Sequence, residues 1–319
     1  MRLVDGDDVD ALATNELGLG AARETARLLA AGHVTCGRVQ TGDDSAWIRV
    51  LVGLIPELDL IGYKEFHRVG KRVRYHVSLF RHSDGDALGI VDGRRITSLR
   101  TASTAALALG HVLAGKTIRL GVIGSGEEAR EGLRAAAGVV KLAEVRVFSP
   151  SAENRTAFAQ QLGSELGVSI VPADSVTAAL ADADAAYVAT AARSPVVGAA
   201  DVRRLGFVAA VGATRPDHHE LSGDAIVEAG AVIVDCADAL HEPGDMADAK
   251  RHGWSEGGAV MLGEWLEQPA EPSGNGPILF KSIGSVEQDL VLARHLLAAA
   301  EERQIGRVAS EIGTLRMMR

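Results

Sequence analysis

The sequence predicts an α/β protein in two parts. A doubly wound parallel sheet occupies residues 114–285, and an α+β domain is made from residues 1–113 together with 286–319. Three observations carry this reading. From residue 116 onward, short β-branched runs alternate with Ala-rich helical segments, the pattern of strands joined by helices into a parallel sheet. Runs such as Ala-Val-Ile-Val at 231–234 are apolar throughout, as burial on both faces requires. Before residue 114, by contrast, Val73, Tyr75, Val77 and Leu79 alternate with Arg74, His76 and Ser78, the period of a half-buried strand.

The elements follow in order. Residues 8–33 place Val9, Leu12, Leu17, Ala21 and Leu28 at helical spacing and predict one helix. Residues 47–54, 58–66, 73–80 and 87–91 read as strands, with a turn at 83–86. Asp92-Gly93 is a hairpin signal leading into Arg95-Ile96-Thr97. Residues 101–113 are Ala-rich and helical. The parallel sheet is expected from strands at 118–123, 145–148, 168–171, 185–190, 208–211, 232–235 and 278–282, with a Pro/Gly loop at 268–277. Ser285 through Gln288 fit a capping box. The helix that follows, to about residue 303, buries Leu290, Val291, Leu296 and Leu297 and returns to the first domain.

Composition narrows the function classes. The chain has 319 residues and a net charge of −9, so it lacks the basic footprint of a nucleic-acid or anionic-lipid binder. Hydrophobic residues at 47% and charged residues at 24% describe a folded globule. Aromatics are only 4%, so the core is aliphatic. The 36 glycines ask for many turns, or for backbone that approaches a ligand closely. The two cysteines, Cys36 and Cys236, share no motif and exclude a disulfide framework or a Cys-rich zinc site. The acidic N-terminus has no secretory core, and no apolar run approaches about 18 residues. A cytoplasmic location without membrane association is therefore expected.

The sharpest chemical signal is Gly124-Ser125-Gly126-Glu127-Glu128-Ala129, set between a strand and a helix. Gly124 permits the tight turn, Gly126 lets backbone approach a pyrophosphate, and Ala129 allows close helix–strand packing. The helix N-terminus then offers N–H groups to phosphate. This is the fingerprint of a Rossmann-type dinucleotide site. The next strand ends in Ser149-Pro150-Ser151 with Asn154 and Arg155 beyond, and has no carboxylate at its end to grip the ribose. Ser149, Ser151 and Arg155 are donors suited to a 2′-phosphate, so NADP(H) is preferred and NAD(H) remains possible. In the opposing reading Arg155 is a solvated helix residue and Glu153 reaches the ribose. The strand ends Thr190-Ala191 and Val211-Gly212-Ala213, and later Ser282 and Gly284, complete the candidate cofactor contacts.

Arg38, Lys64 and Arg100 are cations without an obvious structural task, and spacing alone does not show whether they converge. His76 shares a strand face with Arg74 and Ser78. His218-His219-Glu220 resembles a metal cluster only superficially, since adjacent imidazoles are poorly placed on one ion, and no metal is assigned. No nucleophile elbow is present.

Together these motifs resemble the ornithine cyclodeaminase/mu-crystallin family. The resemblance spans nearly the whole chain. It rests on Asp92-Gly93 through Ile96-Thr97, Leu99-Arg100-Thr101-Ala102, the glycine loop from Gly121 to Arg130, and Ala210-Val-Gly-Ala-Thr-Arg-Pro-Asp217. Glu242-Pro-Gly-Asp245, Gly263-Glu264, and Phe280-Lys-Ser-Ile-Gly284 leading to Gln288-Asp289-Leu290 complete it. It implies a homodimer of two-domain subunits that binds a small amino or imino acid. It also implies that Arg38, Lys64 and Arg100 line the substrate pocket, where guanidinium suits a carboxylate. By the same resemblance His76 stands where the family has a small hydroxyl residue, making it a candidate proton donor or substrate contact.

Departures from the family matter equally. Thr214 stands where the family's cyclodeaminases carry a catalytic Asp, and a hydroxyl is no base near neutral pH. Glu128 replaces the usual Gln. The expected activity is therefore an NAD(P)H-dependent reductase or dehydrogenase acting on a 2-imino or 2-amino acid. The alternatives are an ornithine or lysine cyclodeaminase, and a cofactor-dependent small-ligand binder like mu-crystallin.

Overall fold

In the computed structural model, residues 1–268, 276–310 and 313 are described. The first stretch of chain holds β1 (Arg2–Val4), α1 (Gly6–Leu12), α2 (Asn15–Ala30), β2 (Thr35–Gly42), β3 (Ala46–Ile55), β4 (Leu60–Val69), β5 (Arg72–Arg81), β6 (Ala87–Asp92) and α3 (Gly93–Leu113). Next come β7 (Thr117–Ile123), α4 (Glu127–Ala137), β8 (Lys141–Phe148), α5 (Ala152–Leu166), β9 (Ile170–Pro172), α6 (Val176–Leu180), β10 (Ala185–Val188), β11 (Arg193–Val197), α7 (Ala199–Val202) and β12 (Phe207–Ala210). The chain continues through β13 (His219–Leu221), α8 (Gly223–Val227), β14 (Ala231–Val234), α9 (Gly244–Arg251), β15 (Ala259–Met261), α10 (Leu262–Glu267), β16 (Ile278–Lys281), α11 (Val286–Glu302) and β17 (Arg307–Val308). The loop expected at 268–277 lies outside the described residues except at its two ends.

The chain forms two compact units. One contains Met1–Leu17, Gly32–Thr97 and the chain from Val286; the other contains Gly18–Ala31 and Ser98–Ser285.

The first unit is a seven-stranded sheet in the order β17-β1-β6-β5-β4-β3-β2. Only β1 and β6 run parallel; the other pairs are antiparallel. Helix α11 covers one face. Glycines at three points in the sheet make room for it: a Cβ at Gly53 or Gly62 would lie 2.8 or 3.0 Å from Leu290, and one at Gly89 would lie 2.7 Å from Leu297. Packing at this density leaves no space for a methyl group.

Three local expectations change here. The single helix over 8–33 is two helices. Thr14 takes the Leu17 N–H on its hydroxyl at 3.1 Å and so starts a new helix, while Asp5 and Asp8 cap α1 reciprocally. The hairpin at Asp92-Gly93 is absent. Asp92 instead accepts the Arg95 N–H at 3.0 Å, and α3 begins at Gly93. The capping box at Ser285 does not form, since the Ser285 hydroxyl makes no hydrogen bond. Strand β2 had no sequence signal, because its Thr-Cys-Gly-Arg-Val-Gln-Thr-Gly run has no apolar period and every residue is exposed.

The second unit is a Rossmann-type α/β domain. Eight of its strands form one sheet in the order β15-β14-β16-β12-β10-β7-β8-β9, all pairs parallel, and β11 and β13 form a separate parallel pair. All seven expected strands are in this sheet; β15 was not foreseen. The core is largely aliphatic, and its largest fully buried apolar side chains are Phe158, Phe207 and Phe280. Strand order reverses beside β7, where β8 lies to one side and β10 to the other. This is the switch point at which open α/β sheets bind ligands, off the strands' carboxyl ends.

Candidate functional site

The glycine loop follows β7. Gly124 sits at φ +115°, and a Cβ there would lie 2.1 Å from the Ala189 carbonyl oxygen, so the turn excludes any larger residue. At Gly126, by contrast, a Cβ would meet nothing within 4 Å, and no side chain caps α4. The first N–H groups of α4 thus face open space, which fits a pyrophosphate. Ala129 is fully buried. The Glu127 carboxylate accepts from Ser98 Oγ at 3.3 Å, and the Glu128 charge raises the pKa of buried Tyr187 further, after burial itself.

The end of β8 is tied to this loop, since Ser125 Oγ donates to Ser149 Oγ at 2.9 Å. Ser151 is the N-cap of α5, accepting from the Asn154 N–H at 3.1 Å. Arg155 donates from Nη1 to the Ser149 carbonyl at 3.0 Å and from Nη2 to Asp174 at 2.9 Å. Asn154 and Arg155 follow within α5, beyond the strand end.

Buried carboxylates stitch the other strand ends together. Glu220, fully buried, accepts from the Thr190, Gly212 and Ala213 N–H groups at 2.6, 2.7 and 2.9 Å. Burial pushes its carboxyl above the usual range, while the Lys281 charge and the backbone donors pull it back. Lys281 pairs with Asp245 at 3.1 Å, and both are wholly buried. Asp235 accepts from Ser282 Oγ at 2.7 Å, Ile283 N at 3.2 Å and Gly284 N at 2.8 Å. Val211 N donates to the Val188 carbonyl at 2.9 Å, and Ala191 follows Thr190 at the surface. Gly284, at φ +80°, lies against the Arg100 guanidinium. Glu220 therefore holds Thr190, Gly212 and Ala213, and Asp235 holds Ser282, Ile283 and Gly284, against which Arg100 lies. Sequence reasoning gave those two carboxylates no role. Lys281, a charge inside a buried strand, was the signal that ionic partners must exist.

In the first unit Lys64 is 3% exposed, and its ammonium donates to Asp289 at 2.9 Å and Thr97 Oγ1 at 2.6 Å. The Tyr75 ring lies 5.9 Å from Nζ. Arg38, Leu51, Lys64 and Val77 are cross-strand partners in one row, so Arg38 and Lys64 share the α11 face, two strands apart, about 10 Å. Arg38 is exposed. Asp289 and Thr97 lay within the quoted motifs but had not been given a role.

The expected placement of His76 beside the other pocket residues is corrected. His76 pairs across the strands with Glu65, one residue from Lys64, so its side chain is on the opposite sheet face. There Glu65 receives His76 Nδ1 at 3.2 Å and also His67 Nδ1. In His218-His219-Glu220, to which no metal was assigned, the Glu220 carboxylate accepts from three backbone N–H groups.

A parallel sheet with an uncapped glycine-loop helix at its switch point defines a dinucleotide-binding α/β protein with a separate α+β unit. The chain belongs to the ornithine cyclodeaminase/mu-crystallin family, whose model matches residues 63–304. It is 28% identical to a Delta(1)-pyrroline-2-carboxylate reductase of Bacillus cereus over 261 residues, 80% of this chain and 78% of that protein. It is 31% identical to the ketimine reductase mu-crystallin of Mus musculus, over 68% of this chain and 67% of that one. Among solved structures, the Thermococcus litoralis Delta(1)-pyrroline-2-carboxylate reductase in complex with NADH and L-proline has the same fold. The TM-score is 0.88 at 23% identity, covering 97% of this chain and 100% of that one.

Proposed function

We propose that this protein is an NAD(P)H-dependent reductase or dehydrogenase that interconverts a 2-imino acid and the corresponding 2-amino acid. The observation that carries the reading is the buried Lys64 ammonium, held by Asp289 and Thr97 in one row with Arg38. The relatives support the reaction class, being an imine reductase acting on pyrroline-2-carboxylate and a ketimine reductase.

A nicotinamide cofactor, when bound, would supply or accept the hydride at the C–N carbon. The chain's own residues do the rest. Arg38 and Arg100 are the carboxylate-holding guanidiniums, suited to bidentate pairing. Lys64 exchanges a proton at Nζ with the substrate nitrogen, and Asp289 orients that ammonium. A positioned proton donor of this kind contributes about 10²–10⁴-fold. Glu220 and Asp235 hold the cofactor-side backbone of Gly212, Ala213 and Gly284. Thr214 weighs against ornithine cyclisation, since it offers no carboxylate base.

NADP(H) is the preferred cofactor on this reading, because Arg155 stands off the end of β8 and the strand end carries no carboxylate. The protein acts as a homodimer. The sheet face away from α11 exposes Val39, Ile48, Val52, Ile61 and Tyr63, and β2 is an unpaired edge.

The test is purified protein with NADPH or NADH and a panel of cyclic and linear 2-imino acids, followed by cofactor absorbance. Oxidation with at least one imino acid is expected. No turnover with any of them, or ammonia release from ornithine with catalytic cofactor, would sink the reading.

A further inference from the structure

Two charged side chains meet where the adenosine end of the cofactor is expected, and they differ greatly in exposure. Arg155 is 15% exposed and Asp174 is 96% exposed. Strand β9 runs parallel to β8 with Val147 opposite Pro172. Ser149 and Asp174 therefore stand two residues further on, side by side off the carboxyl ends of neighbouring strands. Nη1 of Arg155 is fixed on the Ser149 carbonyl at 3.0 Å, and Nη2 reaches Asp174 at 2.9 Å. One arm of the guanidinium fork is thus anchored to backbone, and the other is occupied by a carboxylate that water surrounds.

We propose that Asp174 sets the balance between the two nicotinamide cofactors, by competing with the 2′-phosphate of NADP(H) for the outer arm of Arg155. The inference rests on Arg155 being the phosphate ligand of the proposed function. An ion pair this exposed is weak, so a phosphate ester displaces it. NAD(H) has no such group, and Asp174 does not oppose it. The Ser149 carbonyl keeps Arg155 in place whichever anion it holds, so the site needs no rearrangement to change partner. Asp174 lay outside the sequence-level candidates because it follows β9, whereas the usual selectivity residue ends the strand after the glycine loop.

The test measures dissociation constants for NADPH and NADH by fluorescence titration without substrate, on the wild type, Asp174→Asn, Arg155→Ala and the double variant. Asp174→Asn should raise the preference for NADPH about fivefold, the upper end of what an exposed ion pair carries. Arg155→Ala should lower it, and adding Asp174→Asn to Arg155→Ala should change the ratio by less than about twofold. If Arg155→Ala leaves the ratio unchanged, Arg155 is not the phosphate ligand and the cofactor reading fails. If Arg155→Ala lowers it but Asp174→Asn does not raise it, the role of Asp174 alone is overturned. An equal gain in both backgrounds also overturns it, since the effect then bypasses Arg155.

Discussion

The guanidinium of Arg100 rests on the bare Cα of Gly284. A Cβ built at Gly284 would lie 2.0 Å from Nη1 and 2.3 Å from Nη2. With φ +80° at the same residue, the backbone conformation disfavours a larger residue, and any Cβ would displace the guanidinium. Asp235 holds the Gly284 N–H and so fixes the turn against which the guanidinium lies. Gly284→Ala should push Arg100 out of place. The KM for the imino acid should rise more than tenfold, and the left-handed conformation should cost about 1–2 kcal/mol of stability. Steady-state kinetics beside a denaturant titration checks both; an unchanged KM would show that Arg100 does not hold substrate.

Lys64 and Asp289 predict a separation of stability from activity. Lys64→Met leaves a buried carboxylate without its ammonium, which should cost about 3–5 kcal/mol. Lys64→Met with Asp289→Leu removes both charges and should recover most of that loss. Neither variant should turn over substrate at more than about a hundredth of the wild-type rate. Urea midpoints and initial rates on the same preparations give the comparison. Recovery of activity in the double variant would refute the proton role.

Glu220→Gln keeps the shape but turns an N–H₂ group toward backbone donors. The wild-type carboxylate takes three N–H groups, from Thr190, Gly212 and Ala213. The amide oxygen cannot serve all three, and at least one donor is left facing another donor. A loss of about 2–3 kcal/mol is expected, with weaker cofactor binding, because the amide oxygen holds either Thr190 or the Gly212–Ala213 pair and the other strand end is released. Thermal melts with and without NADPH read both effects.

Glu65 predicts a pH effect on stability. Partial burial raises its pKa, but the His67 and His76 hydrogen bonds outweigh this, and the net shift is downward. A carboxyl whose folded pKa is lowered stabilises fully above the ordinary glutamate value of about 4.3. That contribution disappears as the pH falls through the lower folded value. The stability gap between wild type and Glu65→Gln should therefore close as the pH falls through the carboxylate range. A gap that widens on acidification would reverse the sign.

The exposed apolar face predicts association. Val52→Lys with Ile61→Lys places two charges on a face proposed to meet a second copy. Light scattering should report a dimer for the wild type and a monomer for the double variant. A wild-type monomer would remove the homodimer from the proposal.

Much of the parallel-sheet unit was legible in the chain. Its strands are buried on both faces, so burial writes continuous apolar runs into the sequence. The glycine loop was legible because Gly124 and Ala129 are constrained by backbone conformation and close packing, which leave little choice of residue. Lys64 and Arg38 stood out in the sequence as cations without a structural task, but their shared role came only through resemblance to a family, because single charges at strand positions have no period. The hairpin expected at Asp92 failed because the same Asp-Gly pair can cap a helix, and the choice depends on which partner the Asp oxygen finds.

What the sequence determined by itself is the class: alternating strands and helices, a dinucleotide fingerprint, an acidic surface without a nucleic-acid footprint, and membership of a family through ordered motifs. What only the tertiary structure decided is which charges meet. Asp289 and Lys64 are 225 positions apart, and Asp235 and Gly284 are 49. The face of His76 was decided by strand register, where one residue separates the Lys64 side from the opposite one. Backbone period is local and is written in neighbouring residues. The pairing of buried charges depends on chain closure over long separations, and no local pattern records it.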